Sequence, residues 1–127
     1  MTAKMLIVVA GGGATGSAMR YLTMIAVARL FGGDFPWGTM VVNVLGSLVM
    51  GVLIEGFALK WQVQEETRAM LVVGILGGFT TFSTFTLDVA YLIQRGAMPS
   101  ALAYIVGSVV IGVSALYAGM HLTRAVL

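Results

Sequence analysis

Long stretches without charge constrain this chain more than any other feature. Residues 35–54 carry no charged side chain, nor do residues 69–87, and residues 97–123 carry only His121. A membrane-spanning helix needs about 20 consecutive, mostly apolar residues. Each stretch is therefore long enough to cross a bilayer. Charged residues make up 9% of the 127 and hydrophobic residues 59%, where a soluble domain is about 25% charged. A soluble fold needs a polar surface, and this composition cannot supply one. A cytosolic enzyme is excluded on that ground, and the length leaves room for no more than about four crossings.

Four apolar segments are expected, roughly 5–31, 36–59, 69–94 and 98–123, with a polar linker at 60–68. In lipid, backbone groups must be satisfied within the segment, so four such segments mean four helices. Ten-residue alternating strands, the mark of a barrel, are absent from the sequence. Pro36 and Pro99 stand where a helix can begin on proline without losing a hydrogen bond. Lys4 and the small residues Ala26-Val27-Ala28 resemble a cleavable leader. The run between them, however, is interrupted by Gly11–Gly13 and Arg20, so no cleavage is expected. With no Cys, disulfides, thiolate metal sites and cysteine nucleophiles drop out. The seven Lys and Arg are scattered singly, which offers nucleic acid no basic patch. Lys4, Lys60, Arg68 and Arg124 fall on one side, Arg29 and Arg95 on the other. So weak a bias is compatible with insertion in both directions.

Gly11-Gly12-Gly13-Ala14-Thr15-Gly16 fits a dinucleotide-binding spacing, but nothing downstream supplies the βαβ unit that motif needs. The reading that fits a membrane helix is close packing through small residues, with Gly12/Gly16 and Gly13/Ser17 four apart. Ser47/Gly51, and Ser108, Gly112, Ala115 and Gly119, follow the same logic.

The stretch Gly77-Gly78-Phe79-Thr80-Thr81-Phe82-Ser83-Thr84-Phe85-Thr86 places five hydroxyls and three phenylalanines after a glycine pair. Glycine and β-branched threonine are poor helix material, so the third helix is expected to break here. Backbone groups freed at that depth must meet protein, water or an ion. Asn43 lies in the uncharged centre of the second segment, sharing a face with Thr39. Tyr104 and Ser108 share a face on the fourth. Buried polar groups face the protein interior. Asn, Ser, Thr and Tyr all donate hydrogen bonds, and a phenyl ring presents a positive edge. Phe82 and Phe85, three apart, could line an anion path with them, and Arg20 adds positive charge. Glu55 and Asp88 each lie toward a segment end, where each is expected to reach water, and His121 is expected at the interface. No acid, base or nucleophile set with catalytic spacing is present. Four helices alone enclose no aqueous path, so transport implies an oligomer.

On these residues the chain resembles the Fluc family of fluoride channels. The resemblance rests on Gly16-Ser17-Ala18-Met19-Arg20-Tyr21, on residues 38–47 from Gly38-Thr39 through Asn43 to Gly46-Ser47, and on residues 74–85 around Gly77-Gly78-Phe79-Thr80-Thr81-Phe82. It implies an all-α membrane protein of four transmembrane helices, the third broken near its middle. It further implies a dual-topology, antiparallel homodimer with two pores, which exports fluoride across a bacterial inner membrane. By the same resemblance Phe82 and Phe85 are the paired rings, Asn43 the pore amide, and Ser83 and Thr84 the vestibule hydroxyls. Thr39, Tyr104 and Ser108 form a polar track, and Arg20 matches the arginine of the first helix. Gly77 and Thr80 offer backbone carbonyls to a structural Na⁺ at the dimer interface. The family pattern often carries Glu where this chain has Asp88. Two other readings stand beside this one. A small multidrug-type transporter would need a membrane-buried carboxylate for proton exchange. A structural subunit would need only the packing glycines.

Overall fold

The computed structural model describes residues 2–127, which form helices and no strand. Helix α1 spans Ala3–Phe31 and α2 spans Trp37–Leu59. The third span starts at Glu65 as an ordinary α-helix, Glu65–Ala69, and widens into a π-helical stretch, Met70–Leu76. It closes with one turn, Gly77–Phe79. These residues, 65–79, are called α3. The chain then leaves helical geometry at Thr80 and Thr81, with ψ 159° and 122°, and resumes as α4, Phe82–Gln94. Helix α5 is Met98–Val126.

The expected break is present, and several boundaries shift. Pro36 sits just before α2 rather than in it. The third span starts at Glu65 and so takes in residues 65–68, the second part of the expected 60–68 linker. Here Glu65 and Glu66 complement the helix N-terminus and Arg68 the end of the short turn. The π-helical stretch was not expected, because no side-chain preference separates it from α-helix.

The α2, 65–94 and α5 spans are each long and apolar enough to cross a membrane, with mean hydropathies of 1.9, 1.7 and 2.0. Helix α1 has 29 residues, about 43 Å at 1.5 Å per residue, so its length suffices. Its glycines and three cations make it the least apolar of the four. Thr2 starts α1 by accepting the Met5 amide at 3.1 Å. Gly32 ends it at φ +82°, and Gly96 turns the chain between α4 and α5 at φ +80°.

Small residues set how the helices meet. A Cβ on Gly51 would lie 2.1 Å from the Leu116 carbonyl oxygen, and one on Gly119 would lie 2.2 Å from that of Leu48. Helices α2 and α5 thus touch backbone to backbone. The same holds for α1 and α3, where a Cβ on Gly16 would stand 2.1 Å from the Ile75 oxygen and one on Gly78 2.6 Å from that of Gly13. This is the close-packing reading of Gly12, Gly13 and Gly16, while Gly11 has nothing within 4 Å of an added Cβ. Few side chains are fully enclosed, among them Thr39, Val42, Ala101 and Tyr104, while Ile7, Val106 and many other large apolar residues point outward. In a membrane those faces meet lipid rather than water.

Glu55 corrects the expectation that it reaches water. It is 6% exposed, and its Oε1 accepts both Nε and an η nitrogen of Arg124 at 3.0 and 2.9 Å. Low dielectric leaves a carboxylate there no cheap alternative to a partner.

Candidate functional site

The break is held by one side chain. Asn43, on α2, donates from Nδ2 to the Thr81 carbonyl at 2.9 Å and accepts the Thr81 amide on Oδ1 at 2.7 Å. An amide side chain has both a donor and an acceptor, so it can satisfy both backbone groups of one extended residue. Ser47 donates to the Asn43 carbonyl one turn away, at 2.7 Å. The Thr81 hydroxyl then caps α4, accepting the Thr84 amide at 3.2 Å. Threonine is a strong N-cap residue, so this role of Thr81 was readable in the sequence, although the expectation had centred on its neighbours.

These bonds redirect the backbone. In an unbroken helix the Thr81 amide would reach back to the Gly77 carbonyl, and the Thr84 amide to that of Thr80. Asn43 and Thr81 take those amides instead, so the Gly77 and Thr80 carbonyls lose their helical partners. The Gly78 carbonyl is covered from α1, where Arg20 Nε donates to it at 3.0 Å. Arg20 is therefore held against the break, half-buried, rather than standing free as a surface charge.

Phe82 and Phe85 lie on the first turn of α4 with ring centroids 5.7 Å apart and planes tilted by 40°. Phe82 is 76% exposed in the single chain. Phe85 turns inward onto Tyr104 at 4.9 Å. Tyr104 also takes Phe35 edge-on at 5.4 Å. Its hydroxyl donates to Asp88 Oδ2 at 2.9 Å, and the Thr39 side chain is its other polar neighbour. The fully buried Ser108 Oγ has no hydrogen-bond partner among the described residues. Ser83 is exposed and Thr84 half-buried at the start of α4.

Two open concavities flank this arrangement. One, of about 340 Å³, is lined by Asn43, Ser47, Thr80, Thr81, Phe82 and Gly112 among others. The second, of about 320 Å³, opens between the α1–α2 loop and α4 and is lined by Thr39, Asp88 and Arg95 among others. The structure thus gathers Phe85, Tyr104, Thr39 and Asp88 into one polar-aromatic cluster. Asn43, Thr80, Thr81 and Phe82 gather along the neighbouring groove. Among the described residues no group of three His, Cys, Asp or Glu could hold a metal. The oxygen ligands on offer are the backbone carbonyls of the break.

Multi-pass helices packed through glycine, with a third span interrupted and pinned by an asparagine from the second, define a class of small helical membrane protein. The sequence model described as CrcB-like protein, Camphor Resistance (CrcB), matches residues 7–120, and the chain belongs to that family. Its relatives include the Fluoride-specific ion channel FluC of Nitrobacter winogradskyi, 51% identical over 121 residues, which covers 95% of this chain and 96% of that one. The protein of the same name from Chelativorans sp. is 52% identical over 122 residues, covering 96% and 98%. That of Agrobacterium fabrum is 47% identical over 116 residues, covering 91% and 93%.

Proposed function

We propose that this protein is a passive, fluoride-selective channel of a bacterial inner membrane, working as an antiparallel homodimer with four crossings per chain and two pores. It is a channel and not an enzyme. One observation carries the reading: uncharged hydrogen-bond donors converge on a broken span, in a chain about half identical to proteins named fluoride-specific ion channels.

Fluoride is small and strongly hydrated, so a pore must replace its water with donors at close range. Conduction also needs binding weak enough for release. Hydroxyls, an amide and ring edges meet both needs without a fixed pore cation. Asn43 spends one amide hydrogen on Thr81 and keeps a second to offer an anion. The edges of Phe82 and Phe85 flank the path, Ser83 and Thr84 offer hydroxyls at its entrance, and Ser108 supplies a buried hydroxyl with no competing partner. The Tyr104 hydroxyl donates to Asp88 and has Thr39 as its other polar neighbour, so Tyr104 holds that carboxylate in place beside the track. Arg20 raises the positive potential near the break. Inside-negative potential then drives the anion outward.

The donor set also fits the Na⁺ that the family resemblance implies. Hard cations take oxygen ligands, and the Gly77 and Thr80 carbonyls are oxygens without their helical amides. Gly77 is exposed and Thr80 half-buried on one chain, so a second copy would complete the ligand set. The bound ion would supply positive charge for carbonyls of both copies. A proton-coupled transporter finds less support, since Glu55 and Asp88 are engaged with Arg124 and Tyr104.

The test is fluoride release from liposomes holding the purified protein, triggered by a potassium ionophore, with chloride as parallel control. Rapid fluoride release without chloride is expected. No release of either ion from folded, dimeric protein would defeat the proposal.

A further inference from the structure

We infer that the π-helical stretch Met70–Leu76 is the element that sets the rotational phase of the break. This inference rests on the channel reading above. At about 100° per residue, an unbroken α-helix would bring Gly77 round to within about 20° of Met70, facing α1. The structure has a different face against α1. Met70, Gly74 and Gly78 lie there, at successive intervals of four: a Cβ on Gly12 would meet the Met70 oxygen at 2.7 Å, one on Gly74 the Val9 oxygen at 2.9 Å, and one on Gly78 the Gly13 oxygen at 2.6 Å. Gly77 is exposed, its nearest neighbour for an added Cβ being the Val72 oxygen at 3.8 Å. A π turn holds one residue more than an α turn, and that residue accounts for the rotation. The wider stretch is seated in α1 at Gly16, where a Cβ would stand 2.1 Å from the Ile75 oxygen. Two consequences follow at the break. Gly78 reaches Arg20, and Gly77 stands exposed on the open side rather than packed into α1. Residues Gly12, Gly16 and Gly74 are thus positioning residues for an ion path they do not touch.

Deleting Val73, whose side chain is 60% exposed, removes the extra residue at the least packed point. Val73→Ala keeps the length and serves as control. The deletion is expected to leave a helical dimer whose fluoride flux falls by about tenfold or more, as misplacement of a preorganised site does. Val73→Ala should conduct like the parent. A deletion variant conducting within about twofold of the parent would overturn the inference, since the 65–69 end would then have absorbed the rotation. A parent chain that carries no fluoride at all would instead defeat the channel reading. Should the deletion fail to assemble, solid-state NMR in lipid of the parent and of Gly16→Ala answers the question. Amides within the stretch are expected to couple to carbonyls five residues earlier, and Gly16→Ala is expected to shift the Thr81 and Asn43 signals together. Couplings of four residues throughout, or unmoved Thr81 and Asn43 signals, would overturn it.

Discussion

At the scale of single residues, most of the chemistry rests on side chains with both a donor and an acceptor. Asn43→Leu leaves both backbone groups of Thr81 without partners at membrane depth. Each buried unsatisfied group costs about 1–3 kcal/mol, so the variant should melt lower in detergent and lose fluoride flux. Phe82→Ile removes the exposed ring edge but touches neither the clamp nor the core. It should assemble normally and pass fluoride more slowly, and unimpaired flux would remove Phe82 from the path. Arg124→Ala strands the buried Glu55. A fully buried pair would cost about 3–5 kcal/mol when broken. Arg124 is 57% exposed on its side chain, so about 2 kcal/mol is expected, with Glu55→Gln relieving much of it in the double variant. Residue types announced the donors in the sequence, but not which of them were already committed. Asn43, Tyr104 and Glu55 each find a partner 16 to 69 positions away, and no local pattern encodes such distances.

At the scale of elements, the glycines divide into two kinds that the sequence does not distinguish. Gly11 has nothing within 4 Å of an added Cβ, whereas Gly51 has the Leu116 oxygen at 2.1 Å. Gly11→Ala should therefore stabilise α1 by about 0.5–1 kcal/mol. Gly51→Ala should drive α2 and α5 apart and lower the melting temperature, and thermal unfolding of the two variants side by side checks the contrast. The helices themselves were legible because hydrophobic length and the lipid's demand for internal hydrogen bonds leave few choices. The break was legible because glycine and threonine weaken a helix. The π-helical stretch was not, since Met, Leu, Val and Ile suit either geometry. Its cause lies in a different helix, in the glycines of α1.

At the scale of the whole molecule, one chain leaves the proposed ion pathway open on a side. Phe82, Gly77 and both concavities face outward, as expected if a second copy closes them. The nearest atom to a Cβ added at Gly77 is the Val72 oxygen at 3.8 Å, so Gly77→Val should leave the isolated subunit folded. In the proposed dimer it should block assembly, and a normal dimer on sizing would remove Gly77 from the shared site. Withholding Na⁺ throughout purification should weaken the same dimer, measured by subunit exchange. The family and its layout were legible from three motifs in order. The proposed pairing of subunits rests on that resemblance and on the weak charge bias, because a two-fold axis would leave its mark on geometry rather than on any one stretch of sequence.

The Asn43 clamp has a consequence for how this protein can change over time. Asn43 grips the peptide unit of Thr81, not its side chain. Position 81 can therefore exchange one capping residue for another without any answering change at position 43. Among descendants of this chain the two sites, though bonded twice, should leave no trace of correlated substitution. Position 43 is tied to the path of the third span, and it should stay asparagine while that path is kept, whatever residues travel along it.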